Sequence, residues 1–349
     1  MPFATLPTPC VLIDIDRVTA NIRRAQDYAN SHGFALRPHV KTHKIPTFAH
    51  MQVAAGARGI TCQKLGEAEI MADAGLDDIL VSYNIIGFDK LARLAALARR
   101  VKLTVAADSA HTIAGYLRTA RAADVQFDIL IECDTGGGRC GVQTPDEAVA
   151  LAQMLDGGTG ARFGGVMTYP AAGKTALAAE WLAVASARFD AAGIPLPVVS
   201  AGGTPDLWRA HTLPGLTEYR PGTYIYMDRS QVAAGAARLD ECALTVLSTI
   251  VSKPTPNRAI IDAGTKSLTS DLLGMDGFGH VLSCPDATLT GLSEEHGILR
   301  GGGLPRIGDR VRIVPNHACV VSNLFDKVYV VSGDRVVDAV TVAARGCVT

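Results

Sequence analysis

The sequence carries almost no net charge. Its 33 lysines and arginines stand against 34 aspartates and glutamates, leaving −1 at neutral pH, and no stretch concentrates basic residues. Such a balance offers no electrostatic footprint for a nucleic acid or a membrane surface, whereas a small polar substrate stays open. Also missing is any Cys-x-x-Cys pair: the eight cysteines, at 10, 62, 133, 140, 242, 284, 319 and 347, are scattered. No basic N-terminal segment leads into an apolar stretch, so reduced thiols and a cytoplasmic location are expected. No apolar run has the length of a membrane span, and even the alanine-rich segment 91–98 is broken by Arg93.

What the chain does have is apolar content, 48% of 349 residues, enough for a large core and for one big domain plus a smaller one. After an initial strand-like Val11–Ile15 and a helix over 16–31, a regular alternation begins. Short apolar strands near 34–41, 59–64, 78–84, 102–108, 127–133, 163–169, 197–203 and 218–226 are separated by alanine- and leucine-rich helices near 46–56, 65–75, 88–100, 109–122, 146–156, 175–192 and 205–212. Strands apolar on both faces and alternating with helices imply a parallel sheet covered by helices. Eight units match a (β/α)8 barrel, with an open doubly wound sheet as the rival. The barrel is favoured by where unusual residues fall: Lys41, Gln63, Asn84, Asp108, Arg139, Tyr169, Gly202 and Arg220 all lie at or just after a strand's C-terminal end, the end that carries chemistry in barrels.

From Ala243 the helical pattern gives way to short β-branched segments: 243–251, 259–261, 310–314, 320–321, 328–331 and 336–342. The expected division is therefore a barrel over residues 1–240 and a β-rich domain over 241–349.

Four constellations carry possible chemistry. Lys41, in Arg37-Pro38-His39-Val40-Lys41-Thr42-His43-Lys44, closes a strand-like run. An amine so placed, with its pKa lowered by desolvation and neighbouring charge, can form a Schiff base with a carbonyl or with pyridoxal phosphate; taken alone, a solvated lysine is the ordinary reading. Ser200-Ala201-Gly202-Gly203-Thr204 and Arg220-Pro221-Gly222-Thr223 end successive strands, where backbone N–H groups can cradle a phosphate or form tight turns. Arg139, in a glycine loop, can hold a phenolate or carboxylate or remain solvated, and Tyr169 can flank a flat ring or pack in the core. Finally, His317 and Cys319 stand two apart after a strand; on an extended chain both point to one side and can share a divalent ion, with the soft sulfur favouring zinc over manganese or magnesium. Plain packing is the alternative. Glu294-Glu295-His296 reads as an exposed charged turn.

These motifs, together with Thr8-Pro9, Cys62-Gln63-Lys64, Gly138–Gly141, Asp262-Ala263-Gly264 and Glu295-His296-Gly297, occur in an order that resembles the D-serine dehydratase and D-threonine aldolase family nearly end to end. The resemblance implies a fold-type III pyridoxal-phosphate enzyme built like alanine racemase, with a barrel, a C-terminal β domain, a divalent metal beside the cofactor and a homodimeric assembly. By position, Lys41 resembles the Schiff-base lysine, Arg139 the arginine at the cofactor's phenolic oxygen, and Tyr169 the tyrosine flanking the ring. Gly202, Gly203, Thr204, Gly222 and Thr223 resemble the phosphate cup. Arg220 falls where racemases set an arginine against the pyridine nitrogen, and His317 and Cys319 resemble the metal pair.

Two features separate the branches. The dehydratases typically show His-x-Cys, as here, where many aldolases show His-x-Asp. Those aldolases also carry a histidine after the tyrosine, whereas this chain reads Tyr169-Pro170-Ala171-Ala172-Gly173-Lys174. Both lean towards β-elimination from a small D-β-hydroxy amino acid rather than retro-aldol cleavage to glycine and an aldehyde. An amino-acid racemase and a non-catalytic pyridoxal-phosphate-binding protein are the remaining alternatives.

Overall fold

Eight short apolar segments of the first two-thirds of the chain pair in parallel, because each is buried on both faces and each is returned to the same edge by a helix. The computed structural model describes residues 3–155 and 160–349. Its parallel strands are Ala35–Leu36, Ile60–Cys62, Asp78–Asn84, Lys102–Ala107, Phe127–Cys133, Ala161–Thr168, Val199–Gly202 and Glu218–Arg220. From Ile60–Cys62 onwards each pairs with the next, and Glu218–Arg220 returns to pair with Ala35–Leu36. A parallel bridge between His39 and Thr61 joins the remaining two edges, with Thr61 N donating to Pro38 O at 2.8 Å. The ring is thus a TIM-like barrel. Leu80, Ala106, Leu130 and Met167, from four consecutive strands, pack into one cluster with Val198 against it.

The covering helices are Pro46–Ala54, Leu65–Asp73, Phe88–Ala98, Ala110–Ala123, Pro145–Gln153 and Thr175–Ala191. Residue 156, the expected end of the fifth, lies outside the described residues. The helix expected over 205–212 is a 3-10 helix, Leu207–Thr212. Two strands are shorter than their apolar runs because proline removes a ladder donor. Pro38 ends the first after Leu36, leaving Lys41 in a 3-10 turn, Val40–Thr42, and Pro221 ends the eighth after Arg220.

A second sheet is largely antiparallel. Leu244–Thr255 is its centre, pairing with Arg258–Ile261, Arg310–Pro315 and the chain's first strand, Cys10–Asp14. Cys10–Asp14 also runs parallel to Lys327–Ser332, which pairs with Arg335–Thr341. Its core includes Phe3, Leu6, Leu12, Leu247, Tyr329 and Val331.

The compact units consequently differ from a cut at residue 240. One comprises the chain up to Arg24, Thr42–Ile45 and Thr223–Gly346; the other holds Ala25–Lys41, Pro46–Gly222 and Cys347–Thr349. The first strand joins the β-rich unit because its ladder partners are there. Val320–Val321, expected as strand, lies in a helix, Ala318–Leu324. There the buried Asp228 carboxylate accepts from Ala318 N at 2.8 Å and Val321 is fully buried, so tertiary contacts override β propensity. No helix among the described residues is long and apolar enough to cross a membrane.

Candidate active site

In the barrel unit, the turn carrying Lys41 is fixed by His39. Lys41 N donates to His39 Nδ1 at 3.4 Å, so the ring proton sits on Nε2, which lies 3.1 Å from Gln63 Oε1 and 3.3 Å from Ser82 Oγ. His39 N in turn donates to Pro221 O at 2.9 Å. Histidine, glutamine and serine from three strand ends therefore orient the backbone from which the Lys41 side chain leaves.

The glycine loop is folded around Asp134, whose carboxylate accepts from the N–H groups of Gly136, Gly137 and Gly138 at 2.7–3.1 Å. Slight burial works against the charge, but these three donors more than offset it and hold the carboxyl below its ordinary range. The loop presents Arg139, 62% exposed, 5.0 Å above the Tyr169 ring and 3.9 Å from Glu132 Oε1. With Glu132, Cys140 and Ala171 they line a pocket of about 120 Å3.

Gly203 has φ +122°, and a Cβ there would lie 3.6 Å from the Tyr169 ring. Thr204 is buried beside it. Arg220 is sealed inside the barrel: Nη1 donates to Ser200 Oγ at 2.5 Å and Nη2 to Thr168 O at 2.9 Å. A guanidinium, an aromatic ring, an amine and a glycine backbone kept clear of side chain fit the donor set of an anionic, flat aldehyde cofactor. Gly222 follows Pro221 at the close of the unit.

In the β-rich unit, His317 and Cys319 do meet, though not on an extended strand. His317 stands at the N-cap position of the helix Ala318–Leu324, close enough to Cys319 for imidazole and thiol to shift each other's pKa. Burial opposes the Cys319 thiolate, but the His317 bond and charge lower its pKa, helped by the Thr42 and Thr223 hydroxyls at 3.2 and 3.6 Å. Bonding to Cys319 raises His317 to about 9 against the cost of burial. Thr223, expected in a phosphate cup, also has its hydroxyl near the cysteine sulfur. A thiolate beside an imidazole fits a divalent ion of the zinc type.

Two acids, Glu132 and Glu218, are not among the residues that the sequence motifs mark. Glu132 is buried at the end of Phe127–Cys133, and burial pushes its carboxyl up despite Arg139 and Arg220 nearby. Asp108 and Cys140 bring their ligand atoms within 4.8 Å of it. Glu218 bonds Arg37 and Ser200 in the barrel interior. Their signal was available: an acid inside an otherwise apolar strand needs a partner or a task.

Other motifs are structural. Asp262 accepts from Thr8 Oγ1 at 2.6 Å, Ser248 Oγ at 2.6 Å and Thr249 N at 2.8 Å. Gly264 lets the 293–297 turn approach, since a Cβ would lie 2.3 Å from Ser293 O. That turn, with Glu294 and Glu295 paired to Lys266, is exposed.

Residues 13–230 match the alanine racemase N-terminal domain and residues 243–331 the serine dehydratase domain. A D-threonine aldolase from Arthrobacter sp. is 36% identical over 99% of this chain and 94% of its own length. The crystal structure of D-threonine aldolase from Filomicrobium marinum superposes with a TM-score of 0.93 at 32% identity, covering 100% of this chain and 98% of that one. D-threo-3-hydroxyaspartate dehydratase, as a cysteine-to-alanine mutant in the metal-free form, does so with 0.88 at 34% identity, covering 98% of each chain.

Proposed function

The chain belongs to the alanine racemase N-terminal-domain family, in the group whose second half is a serine dehydratase domain, and from that premise we propose that it is a dehydratase of small D-β-hydroxy amino acids, releasing a 2-oxo acid and ammonia. The coarser statement, a pyridoxal-phosphate-dependent lyase of D-hydroxy amino acids, rests on relatives that are aldolases and dehydratases of that type.

The cofactor when bound supplies an electron sink for charge developing at Cα, and a divalent ion supplies Lewis acidity to the leaving hydroxyl. Lys41 Nζ is the group assigned to take the Cα proton, its backbone fixed by His39. Arg139 and Tyr169 are assigned to the ring, Gly202, Gly203, Thr204, Gly222 and Thr223 to the phosphate, and Arg220 to the ring nitrogen. His317 and Cys319 are assigned to the ion. Zinc is the ion proposed, because a thiolate is a soft ligand. A homodimer in the cytoplasm completes the proposal.

The observation that carries elimination over cleavage is the His317–Cys319 pair, together with the absence of histidine from 169–174. Cleavage of Cα–Cβ needs a base for the β-hydroxyl proton, whereas elimination needs that hydroxyl turned into a leaving group. The second reading, retro-aldol cleavage, is favoured by the identity to D-threonine aldolase. Incubation with D-serine, D-threonine and D-threo-3-hydroxyaspartate, with assay of keto acid against glycine plus aldehyde, separates the two. Glycine as the dominant product overturns elimination. Activity lost on chelation and restored by zinc excludes a racemase or a mere carrier of the cofactor, neither of which needs the ion.

A further inference from the structure

The segment Pro315-Asn316-His317-Ala318-Cys319 is braced by groups that the assigned chemistry does not use. Asn316 is fully buried and commits its amide nitrogen to the loop that follows Ile261: Nδ2 donates to Asp271 O at 3.0 Å and to Gly277 O at 2.9 Å. Its Oδ1 accepts from Arg229 Nη1 at 3.0 Å, and the same arginine nitrogen reaches Gly277 O at 3.1 Å. Asp271 N is held by Thr269 Oγ1 at 3.0 Å. The residue that precedes His317 thus clamps the backbone of Asp271, and the Asp271 side chain turns back to His317, with Oδ2 3.2 Å from Nδ1.

A carboxylate only accepts, so Nδ1 of His317 is the donor in this contact. With Nδ1 so engaged, Nε2 is the remaining nitrogen and carries the lone pair once the ring is neutral. The backbone of the next residue is held by Asp228, fully buried, which accepts from Ala318 N at 2.8 Å. His317 is therefore held through its ring by Asp271 and through the following backbone by Asp228.

We propose that Asp271 is a positioning residue for the metal pair: it accepts the Nδ1 proton of His317, setting the tautomer that leaves the Nε2 lone pair for the ion shared with Cys319, and Asn316 fixes the loop that carries it. This rests on the reading that His317 and Cys319 hold a divalent ion. Metal-bound histidines are commonly set in this way by a carboxylate, and loss of the partner weakens metal binding about 10–100-fold. The rival role for Asp271, as a direct anionic ligand, requires its charge; the positioning role requires only an acceptor.

The test uses the full chain with pyridoxal phosphate bound, and zinc affinity measured by competition with a chromophoric chelator. Asp271→Ala is expected to weaken zinc about 10–100-fold, and Asp271→Asn, whose amide oxygen still accepts from Nδ1, to stay within about threefold of the parent. Equal losses in both variants make Asp271 a ligand and overturn the proposal, as does an Asp271→Ala protein that binds zinc like the parent. A Cys319→Ala protein that also binds zinc like the parent overturns the metal reading itself, which the aspartate variants alone leave standing. Ring-nitrogen NMR of the zinc-loaded parent is expected to show His317 protonated at Nδ1; a proton at Nε2 overturns the proposal independently of any variant.

Discussion

Inside the barrel, Arg37 Nε donates to Glu218 Oε2 at 2.6 Å, and the two side chains are only 5% and 2% exposed. Arg37 also reaches Asp78 Oδ1 at 2.5 Å, while Ser200 Oγ donates to Glu218 Oε1 at 2.7 Å and accepts from Arg220. Charge in the barrel interior is thus arranged as a chain, Asp78–Arg37–Glu218–Ser200–Arg220, that ends on the guanidinium assigned to the cofactor. Each member is costly to leave unpaired.

Breaking such a buried pair from one side typically costs about 3–5 kcal/mol, because the other charge stays behind. Arg37→Met is expected to be the worse variant, since it takes the ion-pair partner from the buried Glu218 and leaves Asp78 with Lys102 alone, whereas Glu218→Gln leaves Arg37 with Asp78. In urea unfolding the double variant should lose clearly less than the sum of the singles. Additive losses would show that the pair is not coupled.

Glu132 predicts a pH effect with a definite sign. Burial raises its folded pKa above the unfolded value, although Arg139 and Arg220 pull it back. Folding then takes up protons, so this group's contribution is full below the range of an unfolded glutamate and declines as pH rises through the folded value. Glutamine cannot ionise. Glu132→Gln is therefore expected to be more stable than the parent at pH 8, with the difference shrinking towards pH 4, as read from thermal midpoints. A variant less stable at pH 8 would mean that the arginines outweigh burial.

Much of this was legible in the sequence, and where it was not, the cause can be named. The barrel was readable because its apolar runs repeat with helices between them, and those runs need only local pattern. Periodicity puts Lys41 in a strand because it does not register that Pro38 ends the ladder and His39 recruits the turn. Cys10–Asp14 looks like any strand; that its partners lie more than two hundred residues away is a long-range fact. The proximity of His317 and Cys319 was expected from extended geometry, whereas a helix start provides it, fixed by Asp228 from a distant segment. Glu132 and Glu218 stood in plain view inside apolar strands, but their partners were scattered through the chain.

Lys41 and His39 should separate into different kinetic phenotypes. Lys41→Ala is expected to lose the absorbance band of the lysine-bound cofactor and about 10²–10⁴-fold in turnover, with an unchanged circular dichroism spectrum. His39→Ala keeps the amine but loses a hydrogen bond that orients its backbone, worth about 1 kcal/mol, so kcat should fall several-fold with KM little changed. A His39 variant with parental kcat would remove it from the positioning role.

Gly202 and Gly203 are adjacent, yet substitution at each should fail differently. A Cβ on Gly202 would lie 3.0 Å from Arg220 O and 3.3 Å from Arg220 Cβ, so alanine there pushes apart two paired strands of the barrel wall. Overpacking of this kind costs about 1–3 kcal/mol, and Gly202→Ala should show it as lost stability with or without cofactor. Gly203 has φ +122°, and its Cβ would meet the Tyr169 ring at 3.6 Å, an ordinary contact. Its substitution strains the backbone where a phosphate is assigned and fills space beside the ring. Gly203→Ala should therefore weaken pyridoxal phosphate binding, followed by titration of the absorbance band, by a larger factor than Gly202→Ala does. If Gly202→Ala is the variant that loses the cofactor while keeping its stability, then the tight packing against Arg220 serves the ligand and not the wall.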